Sequence, residues 1–257
     1  MAAEVAFAVF SAAVLGLCFG SFLNVCILRL PHDQSLLKPP SSCPKCRHRI
    51  EWRDNIPVVS WLLLRGRCRW CQAPISGQYP LIEGIVGVLW IAAALYYGLT
   101  LHALAAALFA TILLGIAITD ARHYIIPDEF SFGGLAIGLL LSLRNGGQGF
   151  IDGLLGAAVG FGLLYGVAVV GKWVFKEEAM GGGDIKMMAM VGAFVGWKGV
   201  LLTVFLGALI GTAVFVPLTM KKKRLVPFGV FLAIGAAVTF VAQDAILAWY
   251  QRFLSIG

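Results

Sequence analysis

Long apolar runs separated by short polar breaks make up most of the chain. A run of about 20 residues is long enough to cross a hydrocarbon core about 30 Å thick as a helix. The pattern predicts eight helical runs, near residues 4–28, 81–98, 102–119, 130–144, 151–171, 185–197, 199–219 and 227–250. We therefore expect an all-α polytopic membrane protein with about eight transmembrane helices.

The run at 185–197 is the weakest of the eight, because its thirteen residues reach only about 20 Å at about 1.5 Å each. Whether this segment fully crosses the membrane or re-enters it is therefore open. A re-entrant segment would place the basic run at 221–224 outside the cell, against the preference of Lys and Arg for the cytoplasmic side. We keep eight crossings, with both termini expected on the periplasmic side.

The segment after the first run differs from the rest of the chain. Residues 29–79 hold nine Lys or Arg against three acidic residues, and several prolines. By the positive-inside rule this segment is cytoplasmic. The sequence therefore predicts a first transmembrane helix at 1–28, a cytoplasmic loop domain at 29–80, and a transmembrane core of about seven helices at 81–257.

Composition and charge agree with a membrane protein. The chain is 60% hydrophobic and only 13% charged, whereas soluble domains are about 25% charged. A net charge of +7 is compatible with nucleic acid, anionic lipid or simple topology. With eight crossings, 17 of the 20 basic residues lie on the inner side, so topology explains the charge and no nucleic-acid partner is expected. The first run has no small-residue cleavage site and is expected to be retained as a membrane span.

The loop domain carries two C-x2-C pairs, Cys43 with Cys46 and Cys68 with Cys71, separated by 21 residues. Paired thiolates at such spacing are the usual tetrahedral ligands of zinc. The reducing cytoplasm disfavours disulfides, and a short loop domain gains folding free energy from a metal. Four sulfurs leave no open coordination position, so we expect a structural Zn²⁺ in a zinc-binding cytoplasmic domain.

Several other residues are expected to be structural. Cys18 and Cys26 lie within the first run and are interpreted as packing residues, and His48 as a surface residue. Glycines also recur at four-residue spacing, which lets helix backbones approach closely in lipid. These pairs are Gly16 with Gly20, Gly134 with Gly138, Gly156 with Gly160, and Gly192 with Gly196.

Two aspartates lie at the edges of apolar runs. Asp120 ends the third run, and Asp184 follows three glycines just before the sixth run. An ionisable group near hydrocarbon is unfavourable and calls for a partner or a function, and an acid at a helix C-terminus also opposes the macrodipole. Asp184 is equally compatible with an N-cap. The predicted topology favours function, because it brings both carboxyls to the cytoplasmic face.

Two neighbouring carboxyls share one proton rather than both ionising, and such a pair can activate water and protonate a leaving amine. This is the chemistry of an aspartyl protease, with Asp120 and Asp184 as catalytic residues and 81–257 as its core. Gly181 and Gly183 give a backbone that a substrate strand can approach closely.

The other charged residues near predicted membrane edges are expected to be structural. Lys186 is interpreted as extending to the interface. The acids are interpreted as helix caps or interfacial residues: Asp128, Glu129, Glu83, Asp152 and Asp244.

Over nearly its whole length the chain resembles the prepilin peptidase, or type IV leader peptidase and N-methyltransferase, family. The matching segments are GSFLNVCILRLP at 20–31, the two C-x2-C pairs flanking NIPVVSWLLLRGRC, ISGQYPLIEG at 75–84, the segment from Asp120 to Ile126-Pro127-Asp128, and GGGD at 181–184. The two catalytic aspartates of the family match Asp120 and Asp184, the latter within a G-x-G-D motif.

The resemblance implies a bifunctional enzyme. Its peptidase activity would cleave the basic leader of type IV prepilins or type II secretion pseudopilins after glycine, at the cytoplasmic face of the inner membrane. Relatives with the cysteine-rich loop also methylate the new N-terminal residue with S-adenosylmethionine. Gly66 and Arg67 match a segment associated with methylation, although many relatives have Lys where this chain has Arg67.

Three alternatives remain open at the level of sequence. A protease resembling presenilin or signal peptide peptidase also uses G-x-G-D, but that group lacks the double C-x2-C loop. A proton-coupled transporter would use its buried acids as a relay, and a zinc-knuckle scaffold would need neither aspartate. The particular precursors and the oligomeric state cannot be predicted from the sequence.

Overall fold

A computed structural model describes residues 2–176, 180–219 and 227–255. These parts of the chain are almost entirely helical and contain no β-strand, only two isolated bridges, which lie in the loop domain. The helices are α1 (Ala2–Arg29), α2 (Val59–Leu63), α3 (Gln78–Tyr97), α4 (Leu101–His123), α5 (Asp128–Ser142), α6 (Gly146–Phe175), α7 (Gly182–Thr219) and α8 (Phe228–Ser255). The basic run at 221–224, on which part of the topology prediction rests, lies outside the described residues.

Six segments of the described chain are long and apolar enough to cross a membrane. They are Ala3–His32, Gln78–Tyr97, Leu101–His123, Asp128–Phe175, Gly182–Val214 and Phe228–Phe253. An all-helical polytopic membrane protein is therefore confirmed, whereas the count of eight crossings is not.

The difference between the six observed candidate spans and the eight predicted crossings arises near two glycines. The segment Asp128–Phe175 contains a break at Gly146, with φ +73°, between α5 and α6. Within α7, Gly196 has φ 69° and ψ 178°, so two helical stretches meet there at a kink. The break at Gly146 falls between two predicted runs, whereas Gly196 lies inside the predicted run at 185–197, two residues before the predicted separation at Lys198. Glycine adopts positive φ at little cost.

The chain divides into two compact units, residues 1–111 and 112–257. In the first unit α1 packs along α3. A methyl group added at Gly16 would meet the backbone of Gly87, and one at Gly20 would meet the backbone of Glu83. The prediction that this glycine pair permits close helix contact is therefore confirmed.

In the second unit α7 packs against α5, α6 and α8. A methyl group at Gly134 would overlap Met190, and one at Gly138 would overlap Phe194. The remaining predicted pairs lie where α6 crosses α7: Gly156 faces the backbone of Gly192 and Gly196, and Gly160 faces that of Met188. These glycines are bundle contacts, as predicted.

Candidate active site and metal centre

Asp120 lies in the last turn of α4, which continues to His123 rather than ending at residue 119 as the pattern predicts. Its side chain is buried, and its Oδ2 accepts a hydrogen bond of 3.1 Å from the backbone N–H of Val230. The N–H of Gly229 donates to the same carboxyl. The Asp120 carboxyl therefore lies at the N-terminus of α8, a location that favours an anion. This favourable interaction offsets the unfavourable position of the same carboxyl at the C-terminus of α4.

Asp184 lies in the first turn of α7, which begins at Gly182. It is therefore inside the helix rather than at the N-cap. Its Oδ1 is buried and has no hydrogen-bond partner in the parts of the chain that the structure describes. Buried polar atoms without a partner are uncommon in folded proteins, so this carboxyl oxygen is a candidate contact for a substrate group.

The second unit brings the two carboxyls together. They interact electrostatically, and Ile126 lies beside Gly183 and Gly229, the glycines that adjoin the two acids. An added methyl group at Gly183, next to Asp184, would meet Ile126 Cβ at 3.0 Å, and one at Gly229 would meet Asp120 Oδ2 at 2.8 Å. The arrangement can therefore hold two acids in a partly apolar setting, in which a pair of carboxyls is able to share one proton.

The predicted approach glycines differ in their surroundings. Gly181 and Gly182 are exposed, whereas Gly183 is half-buried against Ile126. A methyl group added at Gly181 would meet only Asp184 Oδ2, at 3.3 Å, and one at Gly182 would have no close neighbour. Space for an incoming backbone thus exists beside Asp184 at residues 181 and 182.

The interpretation of Asp128 and Lys186 needs correction. Asp128 makes no side-chain cap bond, and Lys186 does not simply extend to the interface. Lys186 Nζ lies 2.8 Å from both Asp128 oxygens and 5.6 Å from the centre of the Phe132 ring. This ion pair connects the start of α5 to the start of α7. Lys186 lies two positions after Asp184 along α7.

Sequence reasoning missed the contribution of α8 to this site. Gly229 and Val230 follow Pro227 at the start of the last apolar run. The first N–H groups of any helix have no partner within that helix, and Pro227 marks such a start. Nothing in the pattern indicated that Asp120, 110 positions away, would receive them.

The four loop cysteines converge as predicted. Their four sulfur atoms all lie within 4.8 Å of one another. Cys43 Sγ is 3.7 Å from Cys71 Sγ, and Cys46 Sγ is 4.0 Å from Cys68 Sγ. Tetrahedral zinc with Zn–S bonds of about 2.3 Å requires sulfur separations of about 3.8 Å. The geometry therefore fits a metal such as zinc.

The two cysteine pairs form matching turns. The N–H of Cys43 donates to His48 O at 3.0 Å, and the N–H of Cys68 donates to Ala73 O at 2.9 Å. Arg47 and Gln72 occupy equivalent positions with φ 58° and 57°. Backbone amides of Cys46 and Lys45 donate to Cys43 Sγ and lower the pKa of that thiol to about 6, which favours the thiolate that zinc binds.

An ion pair joins the second turn to the preceding part of the loop. The Arg69 guanidinium bonds both oxygens of Asp54 at distances of 2.6 to 3.1 Å. These bonds hold the pKa of the Asp54 carboxyl below its usual value. His48, expected at the surface, is exposed and packs against Trp70 with ring centres 4.1 Å apart. Cys26 is buried as expected of a packing residue, whereas Cys18 is exposed.

The two residues associated with methylation have different environments. Gly66 is buried with φ +66°, and a methyl group there would lie 2.8 Å from the Trp61 ring. Arg67 is exposed, and its backbone pairs with Pro74 in one of the isolated bridges. Gly66 thus has a backbone and packing requirement that only glycine meets without strain.

A cavity of about 540 Å³ lies within the first unit. Residues of α1, the loop domain and the start of α3 line it, including Asn24, Trp61 and Glu83. Glu83 was expected to be a cap or interfacial residue. It is instead buried, and its Oε2 accepts a hydrogen bond of 2.7 Å from the N–H of Val58.

Fold and sites together define a polytopic helical membrane protein with one buried and one half-buried aspartate and a four-cysteine loop domain. The loop-bearing part, residues 14–97, matches the family model described as the Bacterial Peptidase A24 N-terminal domain. Residues 107–216, which contain both aspartates, match the model of the Type IV leader peptidase family. The chain belongs to the type IV leader peptidase family.

Several curated relatives are described as prepilin leader peptidase/N-methyltransferase. One from Myxococcus xanthus is 42% identical over 83% of this chain and 64% of its own length. One from Aeromonas hydrophila is 34% identical over 92% of this chain and 91% of its own length. One from Neisseria gonorrhoeae is 36% identical over 93% and 92%. No solved structure matches the chain.

Proposed function

We propose that this chain is a bifunctional prepilin leader peptidase and N-methyltransferase. Asp120 and Asp184 would form the peptidase site, with 81–257 as its core, and the cysteine loop at 29–80 would be a zinc-knuckle domain after a first helix at 1–28. The observation that supports the peptidase role is the electrostatic interaction between the two acids. One of them, Asp120, also accepts hydrogen bonds from the start of α8. Relatives over almost the full chain carry both activities in their description.

The two aspartates have unequal environments, which gives each a role. Asp120 accepts two backbone N–H groups, and such bonds favour the ionised form. Asp120 therefore takes a proton from the attacking water. Asp184 carries the shared proton and donates it first toward the carbonyl oxygen of the scissile bond and then to the leaving amine. The water oxygen bonds to the carbonyl carbon to give a tetrahedral intermediate, and the peptide C–N bond breaks when this intermediate collapses and the amine nitrogen receives its proton.

The substrate would be a type IV prepilin or pseudopilin precursor in the bacterial inner membrane. Its apolar helix lies in lipid beside the bundle, and its basic leader stays on the cytoplasmic side with the loop domain, while both termini of the enzyme are periplasmic. Exposed Gly181 and Gly182 leave room for the unwound backbone around the scissile glycine beside Asp184.

Two cofactors belong to this proposal. Zn²⁺ bound by Cys43, Cys46, Cys68 and Cys71 would stabilise the loop, since four thiolates leave no open position for chemistry. S-adenosylmethionine would supply an activated methyl group to the new N-terminus. Gly66, with its backbone requirement beside Trp61, and Arg67 are the residues of this chain proposed for that activity.

Incubation of the purified protein with a prepilin precursor and S-adenosylmethionine tests both activities in one mass spectrum of the product. We expect loss of the leader and addition of one methyl group. Asp120→Asn and Asp184→Asn should each reduce cleavage by at least about 100-fold, the scale of a lost acid–base group. Asp152→Asn, at an exposed carboxyl of α6 bonded to Gln148, should cleave normally. Normal cleavage by either of the first two variants would rule out the aspartate pair.

A further inference from the structure

We propose that the cavity in the first unit is the binding site of the methyl donor S-adenosylmethionine, with Glu83 and Asn24 as its polar floor and Trp61 as its aromatic wall. This inference rests on the proposed N-methyltransferase function and names the place where its cofactor binds. The cavity volume of about 540 Å³ is within the range of about 300–1,000 Å³ typical of small-molecule sites.

Asn24 lines this cavity and has one side-chain atom without a hydrogen-bond partner among the described residues. The residue is 1% exposed, and its amide nitrogen donates to Gly20 O at 3.3 Å and to Tyr79 O at 3.1 Å. Its Oδ1 has no partner among the described residues. Buried polar atoms are almost always bonded to protein or to ordered water. A hydroxyl or amino group of a ligand would complete it.

Glu83 places a carboxylate in the same cavity. It is 7% exposed, and it accepts hydrogen bonds from the backbone N–H of Val58 and from Ser21. Neither partner is a cation. Arg29 also lines the cavity, but its guanidinium donates to the carbonyl oxygens of Ser35, Leu36 and Pro39. Within the described parts of the chain no cation is paired with Glu83, and a buried carboxylate in this situation favours a ligand with positive charge.

S-adenosylmethionine has the groups that these residues lack. Its sulfonium and amino groups are cationic and suit Glu83, and its ribose hydroxyls can donate to Asn24 Oδ1. Its carboxylate would lie toward Lys45 and Arg49, exposed cations that line the same cavity. An anionic lipid headgroup would instead bring its phosphate toward the Glu83 carboxylate, which disfavours that occupant.

Trp61 supplies a fixed aromatic surface. Its Nε1 donates to Ile75 O at 3.2 Å, and its ring borders Gly66. Because the ring is held from two sides, it can receive a planar adenine by stacking, as aromatic side chains do with bases. Gly66 is on this account a positioning residue: it does not line the cavity but leaves room for the Trp61 ring.

Methyl transfer at this site forms a bond between the acceptor amine nitrogen and the methyl carbon of the donor. The C–S bond breaks, and its electron pair remains on sulfur. The amine reacts through its lone pair, so the proton of its ammonium form must leave first. Glu83 can receive that proton, or water can.

Calorimetric titration of the full-length protein with S-adenosylmethionine tests the site without a turnover assay. Glu83→Gln should weaken binding about tenfold, equivalent to about 1.4 kcal/mol. Glu51→Gln is the matched control, because Glu51 is in the same loop, pairs with Arg53 at its surface and does not line the cavity. Retained zinc content and prepilin cleavage would show that the Glu83 variant is folded.

A photoreactive azido-adenine analogue of the donor provides a second test on the unaltered protein. The label should map to peptides around Trp61 and Tyr79 and be displaced by S-adenosylhomocysteine. This placement would be overturned if the label mapped elsewhere, or if a folded Glu83→Gln variant bound the donor with unchanged affinity. Either result would still leave S-adenosylmethionine as a ligand of the protein. Displacement only by phosphatidylglycerol vesicles would identify a lipid site instead. A wild-type protein that binds no donor would overturn the proposed cofactor together with this site.

Discussion

The backbone N–H of Val230 donates a hydrogen bond of 3.1 Å to Asp120 Oδ2. This contact joins the last turn of α4 to the first turn of α8, and it gives the Asp120 carboxyl a helix N-terminus as its neighbour. A favourable location for an anion thus arises from packing between two helices, although Asp120 has an unfavourable place on its own helix.

Gly229→Ala should reduce prepilin cleavage. Its added methyl group would lie 2.8 Å from Asp120 Oδ2 and 2.7 Å from Ile126 Cδ1, so the carboxyl or α8 must shift. A displacement of about 1 Å at a reacting group can reduce a rate roughly 100-fold. The measurement is kcat/KM for a purified precursor.

The control for that variant is Gly162→Ala in α6, where an added methyl group meets nothing within 4 Å. It should cleave at the normal rate. Equal rates for the two variants would mean that the start of α8 does not constrain Asp120.

Cys43→Ser should lower the zinc content of the purified protein, which we expect to be one ion per chain from a single four-cysteine cluster. Three thiolates and a hydroxyl bind zinc more weakly than four thiolates, because zinc favours soft sulfur ligands. Cys18→Ser, at an exposed cysteine of α1, should leave the zinc content unchanged. Elemental analysis after dialysis is the readout, and full zinc retention by the Cys43 variant would contradict the cluster.

Gly66→Ala should reduce methylation while leaving cleavage intact. Alanine at φ +66° is strained, and its methyl group would press on the Trp61 ring, which we place against the methyl donor. We expect about a tenfold loss or more in the methylated fraction, since left-handed backbone alone costs about 1–2 kcal/mol for a non-glycine residue. Gly77→Ala, at ordinary φ −65° with open space around it, should methylate normally. Loss of both activities together in the Gly66 variant would indicate a general folding defect.

Asp54→Asn should lower the temperature at which the loop releases zinc, by an amount that stays constant from pH 6 to pH 8. The Asp54 pKa is below its usual value because of the Arg69 hydrogen bonds, so the pair contributes stability above the unfolded pKa of about 4 and loses it only as pH falls through the folded value. The partly exposed pair should contribute no more than about 1 kcal/mol. Zinc release can be followed with a chromophoric chelator.

Glu51→Gln provides a reference for this measurement, since the Glu51–Arg53 pair is exposed on both sides. It should show no measurable change. A difference between wild type and Asp54→Asn that disappears between pH 8 and pH 6 would contradict the assigned direction of the pKa.

Much of the helical organisation could be predicted from the apolar pattern, because a bilayer requires long runs with internally satisfied backbone. The run at 102–119 corresponds to α4, and the predicted break at 145–150 contains Gly146. The predicted break at Lys198 lies two residues after the kink at Gly196. The number of crossings could not be predicted in the same way. A kinked helix and two separate spans have the same hydropathy, and only backbone geometry distinguishes them.

The sequence by itself determined the identity of the candidate chemical groups: two membrane-edge aspartates and four cysteines at knuckle spacing, each unusual enough in its setting to indicate a function. Only the tertiary structure decided what surrounds those groups. The backbone amides of α8 donate to Asp120, and Lys186 pairs with Asp128. Glu83 and Asn24 line the same cavity. Such partners are distant along the chain and leave no periodic pattern, because they meet through helix packing rather than through local propensity.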